Sequence, residues 1–476
     1  MRNGKLLTVA LALFISLSPF GILQFNKVKA SANQIQDVLR IGGADRFETS
    51  VEVAKHGWTN SKDIVIAEAE GDNDFADAIT GTSLAYYLDC PILLTKINST
   101  PDIVKDEINK LGVKNIYILG GTGVISKSQE DTFKANGYDT VRIAGVDRFD
   151  TACKAADILN SKSKVTKIYI ASGYTFQYPL IAAPYAASES AVILFTDGKN
   201  LDSTTKNEIV KLGIKDISIV GSSGIVAYSV SEQLSDLGIK PFRVNGNTPQ
   251  SIASNFVNIS GIKNKGISIV SDKMFPDALS ASILTAKNGY NMLLVGDEFN
   301  YTINNNVKHA FIFGGIGAVS DSIENYIKNL GNNKDISNNQ IYQLLENSRL
   351  AEEDIILSVE CKSSNDEKIP MPKQYDSYEK IKDFLSNYYT DDCLTTIMKD
   401  FSQLTTVDGK LVSPPGGNLG VSFSDGVWTL NSRENIDNNT IQVSYTRHDL
   451  DKIMDNISVT LSWTNNTWKI SSLKYY

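Results

Sequence analysis

The chain of 476 residues is poor in cysteine, with four: Cys90, Cys153, Cys361 and Cys393. Four allow three pairings, and spacing alone does not choose between them. Cys90 and Cys153 lie among apolar residues and read as buried thiols. Cys361 and Cys393 share the C-terminal region and form the favoured pair. Positive charge is also short: 46 Lys and Arg against 54 Asp and Glu give a formal net charge of −8. That argues against nonspecific nucleic-acid binding. An anionic partner would need a local basic patch, because the overall field repels it. Beyond the N-terminus there is no apolar run long enough to span a bilayer, and the final "SSLKYY" is no apolar tail. No complete G-x-G-x-x-G and no G-K-[ST] occurs where a phosphate loop would sit. No EF-hand spacing occurs in the acidic stretch either. The expectation is therefore no cofactor and no metal.

The first thirty residues read as an export signal. Arg2 and Lys5 precede a mostly apolar stretch over 6–23, and "KVKA" ends at Ala30 with small-residue cleavage chemistry. Pro19 and Gly21 keep the uninterrupted run below the ~20 residues a span needs. The chain is expected to be secreted, with no membrane association after signal cleavage, and either released or held at the cell surface by binding.

Repetition dominates the rest. "RIGGADRF" (40–47) returns as "RIAGVDRF" (142–149), each followed by the same order of segments. A third, more worn copy opens with "NGNTPQSIASNFVN", where Asn247 and Thr248 replace the Asp–Arg pair. Phe75, Phe176 and Phe275 are equivalent, 101 and 99 residues apart. Compact apolar runs such as "DIVIA", "PILLT" and "NIYILGG" read as strands buried on both faces, as in parallel sheets. "PDIVKDEINKLG" reads as a helix, with Pro near its start, Ile103, Val104, Ile108 and Leu111 at helical spacing, and Gly112 as a stop. Strand–helix alternation implies α/β units, each large enough for its own core. The glycines of "LGGTGVIS", "VGSSGIVA" and "FGGIGAVS" read as tight strand-to-helix turns. "EAEGDNDFAD", with Glu68, Glu70, Asp72, Asp74 and Asp77, reads as a solvated loop.

The "GxDRF" start, the "FADA" helix start, the "PILLT" strand and the "LGGTGVIS" turn together resemble the cell-wall-binding repeat 2 family, found in surface proteins of Gram-positive, clostridium-like bacteria. Three copies cover 38–134, 135–236 and 237–330. The resemblance implies an α/β fold of three Rossmann-like modules in a pseudo-threefold arrangement. It also implies noncovalent anchoring to an anionic secondary cell-wall polymer. The family's "ILL" motif, tied to anchoring, maps onto Ile92, Leu93 and Leu94, onto Ile193, Leu194 and Phe195, and onto Met292, Leu293 and Leu294. Physically these read as a buried central strand, whose loss would disturb the fold and so the anchoring. Arg46 and Arg148 have two readings. They could contact the polymer's phosphates. Alternatively, Asp45–Arg46 and Asp147–Arg148 cap the following helix and pair across repeat boundaries. The second is favoured, because each arginine has an acidic neighbour that would compete with an anionic ligand.

After a polar linker at 331–339, residues 340–476 read as a smaller α+β domain with an antiparallel sheet. "IYQLLENSRLAEEDIIL" and "YEKIKDFLSNYY" are helix candidates. Strands begin at Leu404, and the last two form a hairpin turning at Asn465 and Asn466. Cys393 and His448 are the available Cys–His pair. Asp391 and Asp392 would raise the thiol pKa, the wrong direction for a nucleophile, so no enzyme is expected. "YYTDD" (388–392), "LTTVDGKL" and the terminal "W-K-I" strand resemble the secreted inhibitors of peptidoglycan DL-endopeptidases. That resemblance implies a domain that plugs the cleft of a Cys-dependent peptidoglycan hydrolase. The contact would come from an exposed turn of Asp408 and Gly409, then Pro414, Pro415, Gly416 and Gly417, where proline favours a stiff loop. An adhesin or a Cys-dependent hydrolase are the alternatives.

Overall fold

In the computed structural model the described residues are 35, 37–71, 75–259, 266–301, 303, 307–330, 336–360, 371, 375–399, 401–402, 404–407, 410–412, 427–449, 452–464 and 467–475. The expected signal, 1–30, lies outside them. No helix among the described residues is long and apolar enough to cross a membrane.

The first repeat runs β1 (Asp37–Ile41), α1 (Arg46–Gly57), β2 (Asp63–Glu68), α2 (Phe75–Thr80), α3 (Thr82–Tyr87), β3 (Ile92–Thr95), α4 (Asp102–Leu111), β4 (Asn115–Leu119) and α5 (Lys127–Ala135). The second runs β5 (Asp139–Ile143), α6 (Arg148–Lys162), β6 (Lys167–Ser172), α7 (Gln177–Ser188), β7 (Ala191–Thr196), α8 (Ser203–Leu212), β8 (Ile217–Val220) and α9 (Tyr228–Asp236). The third runs β9 (Phe242–Val244), α10 (Pro249–Ile259), β10 (Gly266–Ser271), α11 (Pro276–Asn288), β11 (Asn291–Val295), β12 (His309–Phe313) and α12 (Asp321–Lys328). Helix α4 follows the sequence pattern closely: Val104, Ile108 and Leu111 are buried, and Gly112 ends it at φ +74°. That left-handed position suits glycine, which has no Cβ to clash there.

Three parallel four-stranded sheets result, ordered β3-β2-β4-β5, β7-β6-β8-β9 and β11-β10-β12-β1. Each takes its last strand from the head of another copy. β5, which carries Arg142, completes the first sheet, and β9, which carries Arg243, completes the second. β1 pairs with β12 from Asp37↔His309 to Ile41↔Phe313 and so closes the third. The separate cores expected for the three units do not exist. One continuous apolar core runs from Ile35 to Ile327. Helices α3, α7 and α11 pack on one another at the centre, and α7 is buried from Tyr178 to Ala187. A helix apolar all round must be covered on every side, and here the neighbouring repeats do the covering.

The C-terminal domain contains α13 (Asn338–Glu360), α14 (Tyr378–Leu385), α15 (Asp391–Ile397), the hairpin β13 (Thr405–Val407) and β14 (Lys410–Val412), and the strands β15 (Val427–Asp437), β16 (Thr440–Asp449), β17 (Lys452–Thr464) and β18 (Thr467–Tyr475). The last four form an antiparallel meander in chain order. The Thr464↔Thr467 pairing closes the hairpin around the expected turn. Ser337 and Gln340 bond reciprocally, Ser337 N to Gln340 Oε1 at 2.8 Å and Gln340 N to Ser337 Oγ at 3.1 Å. This capping box starts α13 within the stretch read as linker. The domain keeps its own core and sits on the third repeat. α13 packs on α10 and β9, Phe242 and Ile259 touch both cores, and Gln340 Nε2 donates to Phe299 O at 2.9 Å.

Candidate functional site

The loops that leave the carboxyl ends of β2, β6 and β10 converge on the pseudo-threefold axis. Their phenylalanines meet there. Phe75, Phe176 and Phe275 have ring centroids 5.6–6.1 Å apart in tilted and edge-on pairs. Such pairs contribute about 0.5–1.5 kcal/mol each beyond their burial. Arg46 and Arg148, each half-buried, open the helices that follow β1 and β5. Arg46 Nη1 donates to Ala69 O, and Arg148 Nη1 to Gly173 O. Arg148 also lies over two rings, Phe75 of the first repeat at 5.8 Å and Tyr174 of its own at 5.2 Å. Arg46 faces the third repeat. Burial pushes the Asp277 carboxyl up, while a hydrogen bond from Thr49 and the Arg46 charge pull it back. Both arginines therefore stand at repeat boundaries, at the strand ends where open α/β sheets take ligands.

Their aspartates cap helices. Asp45 Oδ1 accepts from Phe47 N and Glu48 N, both at 2.9 Å, and Asp147 Oδ1 from Asp150 N at 2.9 Å. The third copy keeps the cap in another residue: Thr248 Oγ1 accepts from Ser251 N at 3.1 Å, and α10 begins at Pro249. Thr248 thus replaces the aspartate. Pro249, not Thr248, stands where the arginines do.

A different arginine holds the repeats shut, and the sequence reading passed over it. Arg40, Arg142 and Arg243 head the three copies. Arg142 Nη1 donates to Gly120 O and Nε to Glu130 Oε2, both at 2.7 Å. Arg40 does the same with Gly314 O at 3.0 Å and Glu324 at 2.8 Å. Arg243 donates to Gly221 O at 2.7 Å, and its Nη2 meets Ser231 Oγ at 3.0 Å. The visible signal was an arginine before an aliphatic residue at the head of every copy, the worn one included. The glycine turns thus serve a latch, as strand-to-helix turns. Gly120, Gly221 and Gly314 lie at φ +94°, +118° and +90°. A Cβ on Gly120 or Gly314 would also collide with the carboxylate of Asp77 or Asp277.

The "ILL" residues are buried as expected: Ile92, Leu93, Leu94, Ile193, Leu194, Leu293 and Leu294 all have 3% exposure or less. They do not form a central strand. β3, β7 and β11 are edge strands, and a helix of another repeat covers each: α11 on β3, α2 on β7, α7 on β11. Ser50 of α1 occupies part of the free edge, its Oγ accepting from Leu94 N at 3.1 Å. The motif is a seam between repeats.

The acidic stretch is partly internal. Glu68 is buried, and Glu70 Oε2 accepts from Ile97 N at 2.8 Å; Asp72 and Asp74 lie outside the described residues. No group of acidic, His and Cys residues able to hold a metal occurs among the described residues. In the C-terminal domain, Cys393 is a free, buried thiol, so the Cys361–Cys393 disulfide is absent; Cys361 lies outside the described residues. The pKa of Cys393 is pushed up to about 11, by burial first and then by Glu352, not by the two aspartates before it. Asp408, Gly409, Pro414, Pro415, Gly416 and Gly417, the expected hydrolase-contact turn, lie outside the described residues.

Comparison with known proteins agrees with this organisation. The model of cell wall binding domain 2 matches three times, at 40–130, 142–231 and 243–324, and that of the IseA DL-endopeptidase inhibitor matches 332–474. The N-acetylmuramoyl-L-alanine amidase LytC of Bacillus subtilis is 28% identical over 315 residues, 65% of this chain and 61% of that protein. The amidase enhancer of the same organism is 28% identical over 284 residues, 60% of this chain and 37% of that protein. The chain thus spans less than two thirds of either relative. Among solved structures, Cwp6 from Clostridium difficile aligns with TM-score 0.57 at 23% identity, over 67% of this chain and 57% of that one. Cwp8 from the same organism aligns with TM-score 0.54 at 25% identity, over 61% and 51%. The chain belongs to the cell wall binding domain 2 family, with three copies closed into one body and followed by a domain of the IseA DL-endopeptidase inhibitor family.

Proposed function

We propose that this is an exported surface protein of a Gram-positive cell, held noncovalently on the wall through an anionic secondary wall polymer. Its C-terminal domain restrains a Cys-dependent peptidoglycan hydrolase. The position of Arg46 and Arg148 carries the polymer reading: two half-buried guanidinium groups at strand carboxyl ends, one of them over a ring of the aromatic triad. Guanidinium suits phosphate geometry, and several modest contacts on one rigid body add by avidity. The test is sedimentation of the full-length protein with purified walls, before and after mild acid strips the phosphate-linked polymer. Retention should fall on stripping. Equal retention on stripped walls would overturn the polymer reading.

The inhibitor reading is supported by the family match over 332–474. The raised Cys393 pKa also leaves little thiolate at neutral pH, and the thiolate is the nucleophile. The turns at 408–409 and 414–417 are proposed as the hydrolase contact. Full-length protein added to peptidoglycan with a DL-endopeptidase should slow lysis. Lysis by this protein alone, lost in Cys393→Ala, would make it a hydrolase; no effect would favour an adhesin.

A further inference from the structure

The first repeat holds a cleft that the wall-binding account does not use. It lies between α4 and α5, beside the loop after β3, with a volume of about 510 Å³. Ile108 and Phe133 form its buried floor, and exposed Asn98, Asn109 and Asn136 stand around it. Tyr138 is half-buried, edge-on to Phe133 at 6.5 Å, and its hydroxyl bonds Asn109 Oδ1 at 2.9 Å. That bond leaves the Asn109 amide nitrogen as donor. The loop wall is prefixed. Buried Gln129 accepts from Thr95 Oγ1 at 3.0 Å and Thr100 Oγ1 at 2.7 Å, and donates to Lys96 O at 2.9 Å. Amides and hydroxyls around an aromatic body make a site for a polar, weakly charged ligand.

The second repeat indicates which one. Its positions 101 residues further on hold Val210, Gln233, Leu234, Leu237 and Ile239 where the first has Asn109, Thr132, Phe133, Asn136 and Tyr138. There the chain spans the gap itself. Gln233 Oε1 accepts from Leu201 N at 3.0 Å, and Nε2 donates to Asn200 Oδ1 at 3.2 Å. In the first repeat the counterpart of Gln233 is Thr132, whose hydroxyl turns back to Ser128 O at 2.8 Å. The counterpart of Leu201 N is Thr100 N, which has no acceptor among the described residues. The space that a side-chain amide fills in one repeat is open in the other.

We propose that this cleft binds the acetamido group of an N-acetylated amino sugar, with the acetyl carbonyl accepting from Thr100 N as Gln233 accepts from Leu201 N. The inference rests on the wall-binding reading, which supplies glycan as the surface the repeats face. It makes the first repeat different in ligand from the second.

Saturation-transfer NMR on the full-length protein, with the methyl glycoside of N-acetylglucosamine as probe and that of glucose as control, tests it. Strong transfer to the acetyl methyl is expected, with none to the control. Thr132→Gln, which installs the second repeat's own residue, should lower the transfer about tenfold, the scale of one lost hydrogen bond, with unchanged melting. Asn136→Leu, also tolerated at that position in the second repeat, gives the same reading if Thr132→Gln fails to fold. Equal transfer to both sugars, or undiminished transfer in the folded variants, overturns the proposal. Wall sedimentation is read separately. Retained sedimentation without acetamido transfer removes the cleft alone; transfer without sedimentation removes the wall reading alone.

Discussion

The first and third repeats build the same sheet from heads that share little beyond an arginine, an aliphatic residue and a glycine. Arg40 and Arg243 make the same bond to a glycine-turn carbonyl. Six residues on, Arg46 grips a loop carbonyl while Pro249 grips nothing. The difference separates two jobs within one motif. The front half latches a strand onto a sheet and is kept in every copy. The back half grips the loop at the end of the next strand, and the third repeat, which carries the C-terminal domain, has lost it.

That separation can be broken in order of effect. Phe275→Ala removes one of three mutually packed rings, so it should cost about 3–5 kcal/mol by denaturant titration, and Phe75→Ala should cost the same. Unequal costs would show that the axis is not shared evenly. Next, Arg142→Ala leaves Glu130, 9% exposed, facing only Lys134, and should cost about 2–3 kcal/mol. Arg243→Ala removes the bonds to the Gly221 and Val226 carbonyls and to Ser231 and should cost about 1–2 kcal/mol. Arg46→Ala should lower both melting temperature and wall retention, whereas Pro249→Ala should leave retention unchanged. Normal melting with lost retention in Arg46→Ala would make that arginine a pure ligand contact. Among the caps, Asp147→Ala should cost about 1 kcal/mol and Thr248→Ala somewhat less.

Acid tests the carboxylate half of the latch. Lys134 first, then Arg142, hold the Glu130 carboxyl below its ordinary value, against the opposing effect of burial. Lys328 first, then Arg40, do so for Glu324. A carboxylate with a depressed folded pKa stabilises fully above its unfolded value and loses that stabilisation as pH falls through the folded one. The cost of Arg142→Ala should therefore shrink in acid. Denaturant titrations of Arg142→Ala at neutral and acidic pH measure the change.

Much of the fold was legible because local chemistry encodes it. The Gly112 stop, the aspartate caps and the closing hairpin each follow from a few neighbouring residues. What was not legible is pairing across copies. An apolar run such as "PILLT" looks identical whether it lies mid-sheet or at an edge covered by a neighbour's helix, so burial alone does not tell the "ILL" edge strands from central ones. A strand's partner is likewise not written in its own sequence, so no single copy reveals the merged core or the borrowed strands β1, β5 and β9. At the site, the capping role of Asp45 was readable from its position before the helix. The latch was not, because Arg40 bonds a residue 274 positions away.

The pairing of β1 with β12 also governs how the molecule comes into being. β1, the first strand among the described residues, has its partner 272 residues later, as the Asp37–His309 contact shows. Until the third copy is complete, β1 has no edge to join, and loop closure over such a distance makes that step a late one. A chain truncated before β12 leaves β1 unsatisfied. Nor does the ring admit a fourth copy by simple duplication, as an open solenoid does, because the last sheet is already sealed by the first strand. The repeat number is fixed by topology, and the body is completed only when the chain has come full circle.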